Sequence, residues 1–361
     1  MGIAQMIRIS PRHAGASAAK TISTAVLVGG MLLQSAHAQS QGSARDSSPA
    51  ASPALTLDTV LVTGVVPGPG MWRVTRGTGN ELLIFGTLSP SPASIEWRSE
   101  DVEAVLSRAQ VVLWPPYFAV DVEAGFFGKL SLGYNYARAK TNPDGRRLRN
   151  ILSAADYATW ERLRAHYLPR ESSLEKKRPV VAAEALYEAA IQSAGLTTRK
   201  GVEKQIQDLL KATQAKLYSP RFEYKLTKDQ ANSMLKASRR IEMNDVACLT
   251  ATMDFVDRGL AKTIANANAW ATGDIDALDL AEVEKRDIAC QDAFSSPTLL
   301  ADFGVPDIRR SLMASWMRAS EHSLKYNATT VALLPISDLL MEGGYLDQLK
   351  AAGYEVEASS P

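Results

Sequence analysis

The chain has 361 residues, 46% hydrophobic and 22% charged, which excludes a disordered, collagen-like or disulfide-dense protein. Its 40 basic residues balance 39 acidic ones, so no global field draws nucleic acid to the surface. With 4 histidines and 2 cysteines, imidazole and thiolate chemistry are scarce.

Residues 1–38 carry Arg8, Arg12 and Lys20 and no acid. An apolar run from Thr21 to Leu33 follows, with Ala36-His37-Ala38 behind it. A basic start, a short apolar core and an A-x-A end read as a secretory signal peptide, cleaved after Ala38. The run is shorter than the ~20 residues a spanning helix needs, so no transmembrane anchor is expected in the mature form. A periplasmic or secreted protein follows, with His166 and His322 as its remaining histidines.

Residues 39–70 read as a flexible tether, rich in Ser, Ala, Pro and Gly at its start. Within it, Leu57 to Gly64 is a β-branched run that resembles the TonB box, a segment that adds as a strand to an energising partner. An edge strand or extended arm is the plainer reading.

The folded domain is expected over 71–357. Trp72-Arg73-Val74, a turn at Gly77 to Asn80 and Leu82 to Phe85 predict a β-hairpin. A helix of about ten residues starts after Ser99. Val111-Val112-Leu113 predicts a buried strand, stopped by Pro115-Pro116. From about 150 to 330 the pattern is nearly all helical, with helices over 153–165, 181–194, 201–217, 227–267, 274–293 and 305–325. Thr227 and Gln230 form a capping box. Val331 to Leu334 predicts a strand, 342–352 a helix and Tyr354-Glu355-Val356 a last strand. The fold class is therefore α/β (α+β), a central sheet from the N- and C-terminal segments with a large helical insertion.

Cys248 and Cys290 lie symmetrically about residue 269, in the predicted bend between two helices. In an antiparallel helical hairpin they fall at one height, and an oxidising compartment closes the bridge.

Trp72-Arg73-Val74, Leu83-Ile84-Phe85-Gly86-Thr87 and Val111-Val112-Leu113 together resemble the start of the TraB/PrgY/GumN family, related to the Tiki proteases and, more distantly, to erythromycin esterase. The resemblance continues through Gly201-Val202-Glu203, the stretch from Ala269 to Asp274, and Gly344-Tyr345-Leu346 to Val356. It implies a site of two G-x-x-H motifs and a carboxylate after the second core strand, which in Tiki proteins supports metal-dependent peptide cleavage.

This chain departs from that pattern at every one of those positions. The first motif reads Gly86-Thr87-Leu88-Ser89, the carboxylate position falls on Trp114 or Pro115, and the second motif reads Pro335-Ile336-Ser337-Asp338. Neither His166 nor His322 ends a G-x-x-H. The expectation is a non-catalytic pseudoenzyme of the cell envelope that binds a peptide, a saccharide or an envelope protein. No cofactor and no nucleic acid are expected. The alternative is a divergent hydrolase in which Ser89, Glu203 and Asp338 hold an oxygen-preferring divalent metal such as Mg or Ca. Glu203 occupies a position where the family often has an acid, and Asp338 also reads as a cap of the helix that follows.

Overall fold

A computed structural model of the chain describes residues 8–9, 70–77, 79–93, 100–123, 134–198, 202–237, 244–294 and 302–359. All belong to one compact unit. The TonB-box-like segment and all but two residues of the leader lie outside the described residues. Among the described residues, no helix is long and apolar enough to cross a membrane.

In chain order the strands are β1 (Arg8–Ile9), β2 (Met71–Thr75), β3 (Glu81–Thr87), β4 (Ser91–Pro92), β5 (Val111–Leu113), β6 (Tyr117–Glu123), β7 (Leu196–Thr197), β8 (Lys216–Tyr218), β9 (Arg221–Thr227), β10 (Thr329–Pro335) and β11 (Glu355–Ser359). The central sheet has the order β11-β2-β3-β10-β5-β8. β3, β10, β5 and β8 run parallel, and β2 is antiparallel to both its neighbours. The predicted hairpin is β2 and β3, with Trp72 opposite Ile84. β10 enters between β3 and β5 from the far end of the chain and sets Leu333 opposite Phe85. Both β3 and β10 are near-continuous apolar runs, the mark of a strand covered on both faces. Leu82, Ile84, Phe85 and Val331 to Leu334 are all fully buried.

Prolines decide where this sheet ends. Pro115-Pro116 follow β5 and Pro220 follows β8, and none has an N–H to continue the ladder. The chain resumes as β6 and β9, which pair in parallel with Tyr117 opposite Arg221. β1 adds to the other edge of β6.

The helical insertion needs two corrections. The helix predicted over 201–217 stops at Leu210 (Val202–Leu210), and its last residues form the exposed strand β8 instead. The long helix predicted over 227–267 is several pieces: Lys228–Ala237, Asp245–Asp254, a π-helical turn Phe255–Gly259 and Leu260–Ala271. Its capping box is present, with Gln230 N donating to Thr227 Oγ1 (3.2 Å) and Thr227 N to Gln230 Oε1 (2.9 Å). At Gly259 an added Cβ would meet Phe255 at 3.1 Å and Glu282 at 3.2 Å, so this glycine lets the helix Ala281–Phe294 pack closely. That approach brings Cys248 and Cys290 together, Cα to Cα 4.4 Å, as a disulfide.

Trp270 ties the insertion to the sheet. It is fully buried, and its Nε1 donates to Gly86 O at 2.8 Å. Trp270→Phe keeps most of the volume and removes the donor. It is expected to cost about 1–2 kcal/mol in denaturant unfolding, the penalty of a buried carbonyl losing a partner. An unchanged midpoint would refute that role for the bond.

Candidate functional site

The strands β3, β10 and β5 run parallel, so their carboxyl ends, at Thr87, Pro335 and Leu113, face one side. A cavity of about 720 Å³ lies there. In open parallel sheets this is where ligands enter, because the loops leaving adjacent strands splay apart.

Ser89, Glu203 and Asp338 all line this one cavity. Ser89 follows β3, and its peptide bond to Pro90 is cis. Glu203 stands in the first turn of the helix Val202–Leu210. Asp338 stands in the first turn of the short helix Ile336–Leu340 rather than capping the one after it. Gly86 sits beneath the floor. A Cβ there would lie 2.8 Å from the Trp72 ring and 3.1 Å from Ile336, so its task is close packing. Trp114 does not line the cavity; its backbone N–H donates to Tyr218 O at 2.8 Å and holds β5 to β8, while Pro115 takes the place on the wall.

The wall is strongly acidic. Glu203, Glu284, Asp287, Asp292, Asp307 and Asp338 line it against one guanidinium, that of Arg309. Several of these carboxylates are already engaged. Asp287 accepts from Arg286 at 2.9 Å, Asp307 caps the helix Ile308–Tyr326 through Arg310 N, and Asp338 stands 3.8 Å from Arg309. Glu203, Glu284 and Asp292 have no ion-pair partner among the described residues.

Sequence reasoning missed Glu284, Asp287 and Asp292. The signal was available, since positions three and eight apart on the helix Ala281–Phe294 share a face. Only the packing of that helix against the sheet shows which way the face turns. Tyr345 was also missed as a site residue, although it belongs to the Gly344-Tyr345-Leu346 stretch. It is 5% exposed, lines the cavity, and packs its ring edge-on to Trp316 with centroids 4.9 Å apart.

Burial in the cavity wall pushes the Glu203 carboxyl above the usual carboxylate range, and Asp338 likewise, in spite of Arg309 nearby. Asp338 keeps 40% of its side-chain surface open to the cavity, but the surrounding protein still displaces much of its hydration. The sign for stability follows. Between the ordinary carboxylate range and the raised value, the folded state binds the proton more tightly than the unfolded chain. Stability therefore falls as pH rises through that window. Glu203→Gln is expected to raise the melting temperature by a few degrees at neutral pH, with the gain vanishing below about pH 4. Melts at both pH values check it; a loss of stability at neutral pH would sink it.

The donors present do not match the imidazole and carboxylate set that the resemblance implies. His166 packs on Tyr167 and His322 on Tyr326, and neither lines the cavity. Among the described residues, no three His, Cys, Asp or Glu side chains converge closely enough to hold a metal ion.

Comparison with known protein families gives a match that covers most of the chain. The model of the TraB/PrgY/gumN family fits residues 70–358, nearly the whole of the unit built around this cavity. No curated protein and no solved structure matches the chain.

Proposed function

Because the chain belongs to the TraB/PrgY/gumN family, we propose that it is an exported binding protein of the cell envelope, a pseudoenzyme that keeps the family's cavity without its metal chemistry. One observation carries this reading. A cavity of about 720 Å³ lies at the strand ends, while the positions where the resemblance expects imidazoles and a carboxylate hold Ser89, Pro115 and Asp338. A peptide, a saccharide or an envelope protein would enter there.

Export rests on the basic start, apolar run and A-x-A end of residues 1–38, and on the disulfide, which persists in oxidising compartments. The segment Leu57 to Gly64 offers a further contact, with a TonB-like partner.

A second reading has its own support. Ser89, Glu203 and Asp338 share the cavity, so a divergent hydrolase is the alternative. A serine nucleophile needs a base within reach, and no histidine lines this wall.

The test is on the purified full chain. Peptide and ester hydrolysis is followed with Mn, Co, Zn, Mg or Ca added, and each metal is also assayed by thermal shift. A ligand that binds only the folded state raises its stability. Turnover that disappears in Asp338→Ala would overturn the pseudoenzyme reading. No turnover and no metal-dependent shift is the expected result.

A further inference from the structure

The charge on the cavity wall is out of proportion to the chain. Overall the sequence is balanced, 40 basic to 39 acidic, yet six carboxylates and one guanidinium line the cavity. A cleft lined by one sign of charge concentrates its field inward and draws the opposite charge.

Acidity alone would be a solvated face. A second observation points to a ligand. Tyr345 is only 5% exposed, and it forms part of the cavity wall. Its hydroxyl makes no hydrogen bond among the described residues. A phenol is both donor and acceptor and ordinarily finds a partner; this oxygen is not among the enclosed side-chain atoms, so it is open to one from the cavity side. Trp316 fixes the ring, so the hydroxyl is held in place rather than free to turn away.

Arg309 shows what the acidic wall attracts. Its guanidinium stands 3.8 Å from Asp338 Oδ1, too far for a hydrogen bond, and it also touches Met341 Sδ. The Arg309 side chain is 59% exposed, so it is an internal cation resting at the mouth rather than a buried partner. Between the acids the wall is apolar, with Leu88, Leu280, Ile288, Leu312 and Met313.

We propose that the cavity binds an organic cation, a primary ammonium or a guanidinium on an apolar stem. Glu203 and Asp338 receive the charge, the Tyr345 hydroxyl accepts from it, and the apolar wall covers the stem. The incoming cation displaces Arg309 from Asp338. This proposal rests on reading the cavity as a binding site and adds the class of ligand. Polyamines and basic peptide side chains present the same chemistry.

The experiment is calorimetric titration of the full chain at near-neutral pH with three probes: spermidine, the capped peptide Ala-Lys-Ala, and the same peptide with norleucine in place of lysine. The lysine peptide or spermidine is expected to bind, and norleucine to bind at least ten-fold more weakly. The stronger of the two cationic probes identifies the source. Glu203→Gln and Asp338→Asn are each expected to weaken binding about ten-fold, the scale of one hydrogen bond to a charged group. Tyr345→Phe weakens it less. Arg309→Gln, which removes the competing cation, is expected to tighten it about three-fold, a gain that a misfolded variant does not produce. Equal binding of lysine and norleucine peptides would overturn the cation and leave the binding site standing. Cation binding unchanged in all four variants would place it elsewhere and overturn the proposal. No binding by any probe would overturn it as well, and the reading of the cavity as a site for such ligands with it.

Discussion

Replacing Cys248 and Cys290 with serine is expected to lower the melting temperature by about 6 °C. The bridge spans 42 residues of sequence. Closing a loop of that length in the unfolded chain removes entropy worth about 4 kcal/mol. At about 2 cal/mol/K of unfolding entropy per residue, that is about 6 °C for a unit of this size. The effect extends to the site, because the bridge anchors the helix Ala281–Phe294 to the helix Asp245–Asp254. The former carries Glu284, Asp287 and Asp292 to the cavity wall. Thermal melts of the double serine variant, with the parent protein kept oxidised, are the check. A shift below about 1 °C would mean that packing already closes the loop in the unfolded ensemble.

Gly344→Ala is expected to cost about 3 kcal/mol, at the upper end of overpacking effects. Gly344 caps the helix Tyr345–Ala351 with an ordinary negative φ, so the reason for glycine is space. An added Cβ would stand 2.5 Å from Asp338 O and 2.7 Å from Met341 O. Both are backbone atoms and neither can swing aside. The loop from Asp338 to Gly344 must open, which moves Asp338 and Tyr345 apart. Denaturant unfolding measures the cost, and a loss below about 1 kcal/mol would show that the loop yields freely.

Much of the frame was legible. The hairpin of β2 and β3 follows from two apolar runs around a Gly-rich turn, and β10 from an uninterrupted apolar run. The disulfide followed from the symmetry of Cys248 and Cys290 about a bend. The strands β6, β8 and β9 did not emerge. In β9, Phe222, Tyr224 and Leu226 alternate with Glu223 and Lys225, a period-two signal in a region otherwise read as helical. In β8, Lys216, Leu217 and Tyr218 are all exposed, so nothing in their pattern marks a strand. The positions Ser89, Glu203 and Asp338 were placed at the site by the resemblance to the family, not by any pattern of their own. The acids opposite them were not, because which face of the helix Ala281–Phe294 meets the cavity is set by tertiary packing. Tyr345 carries no sequence mark that distinguishes a cavity phenol from a core one.

The position of β10 has a consequence for how the molecule is made. Thr329–Pro335 is the middle of the parallel core, yet it is synthesised after both strands it joins and after every other strand of the central sheet except β11. Through the interval from Leu113 to Thr329, β3 and β5 lack the strand that separates them. At about 5–20 residues per second, that interval lasts roughly 10–40 s. The growing chain thus carries two apolar edges open to other chains throughout most of its synthesis. A product that ends before Thr329 is not a trimmed protein but one split down its centre. The pairing that closes the core is thus among its least local in sequence, and folding of the sheet must wait for it.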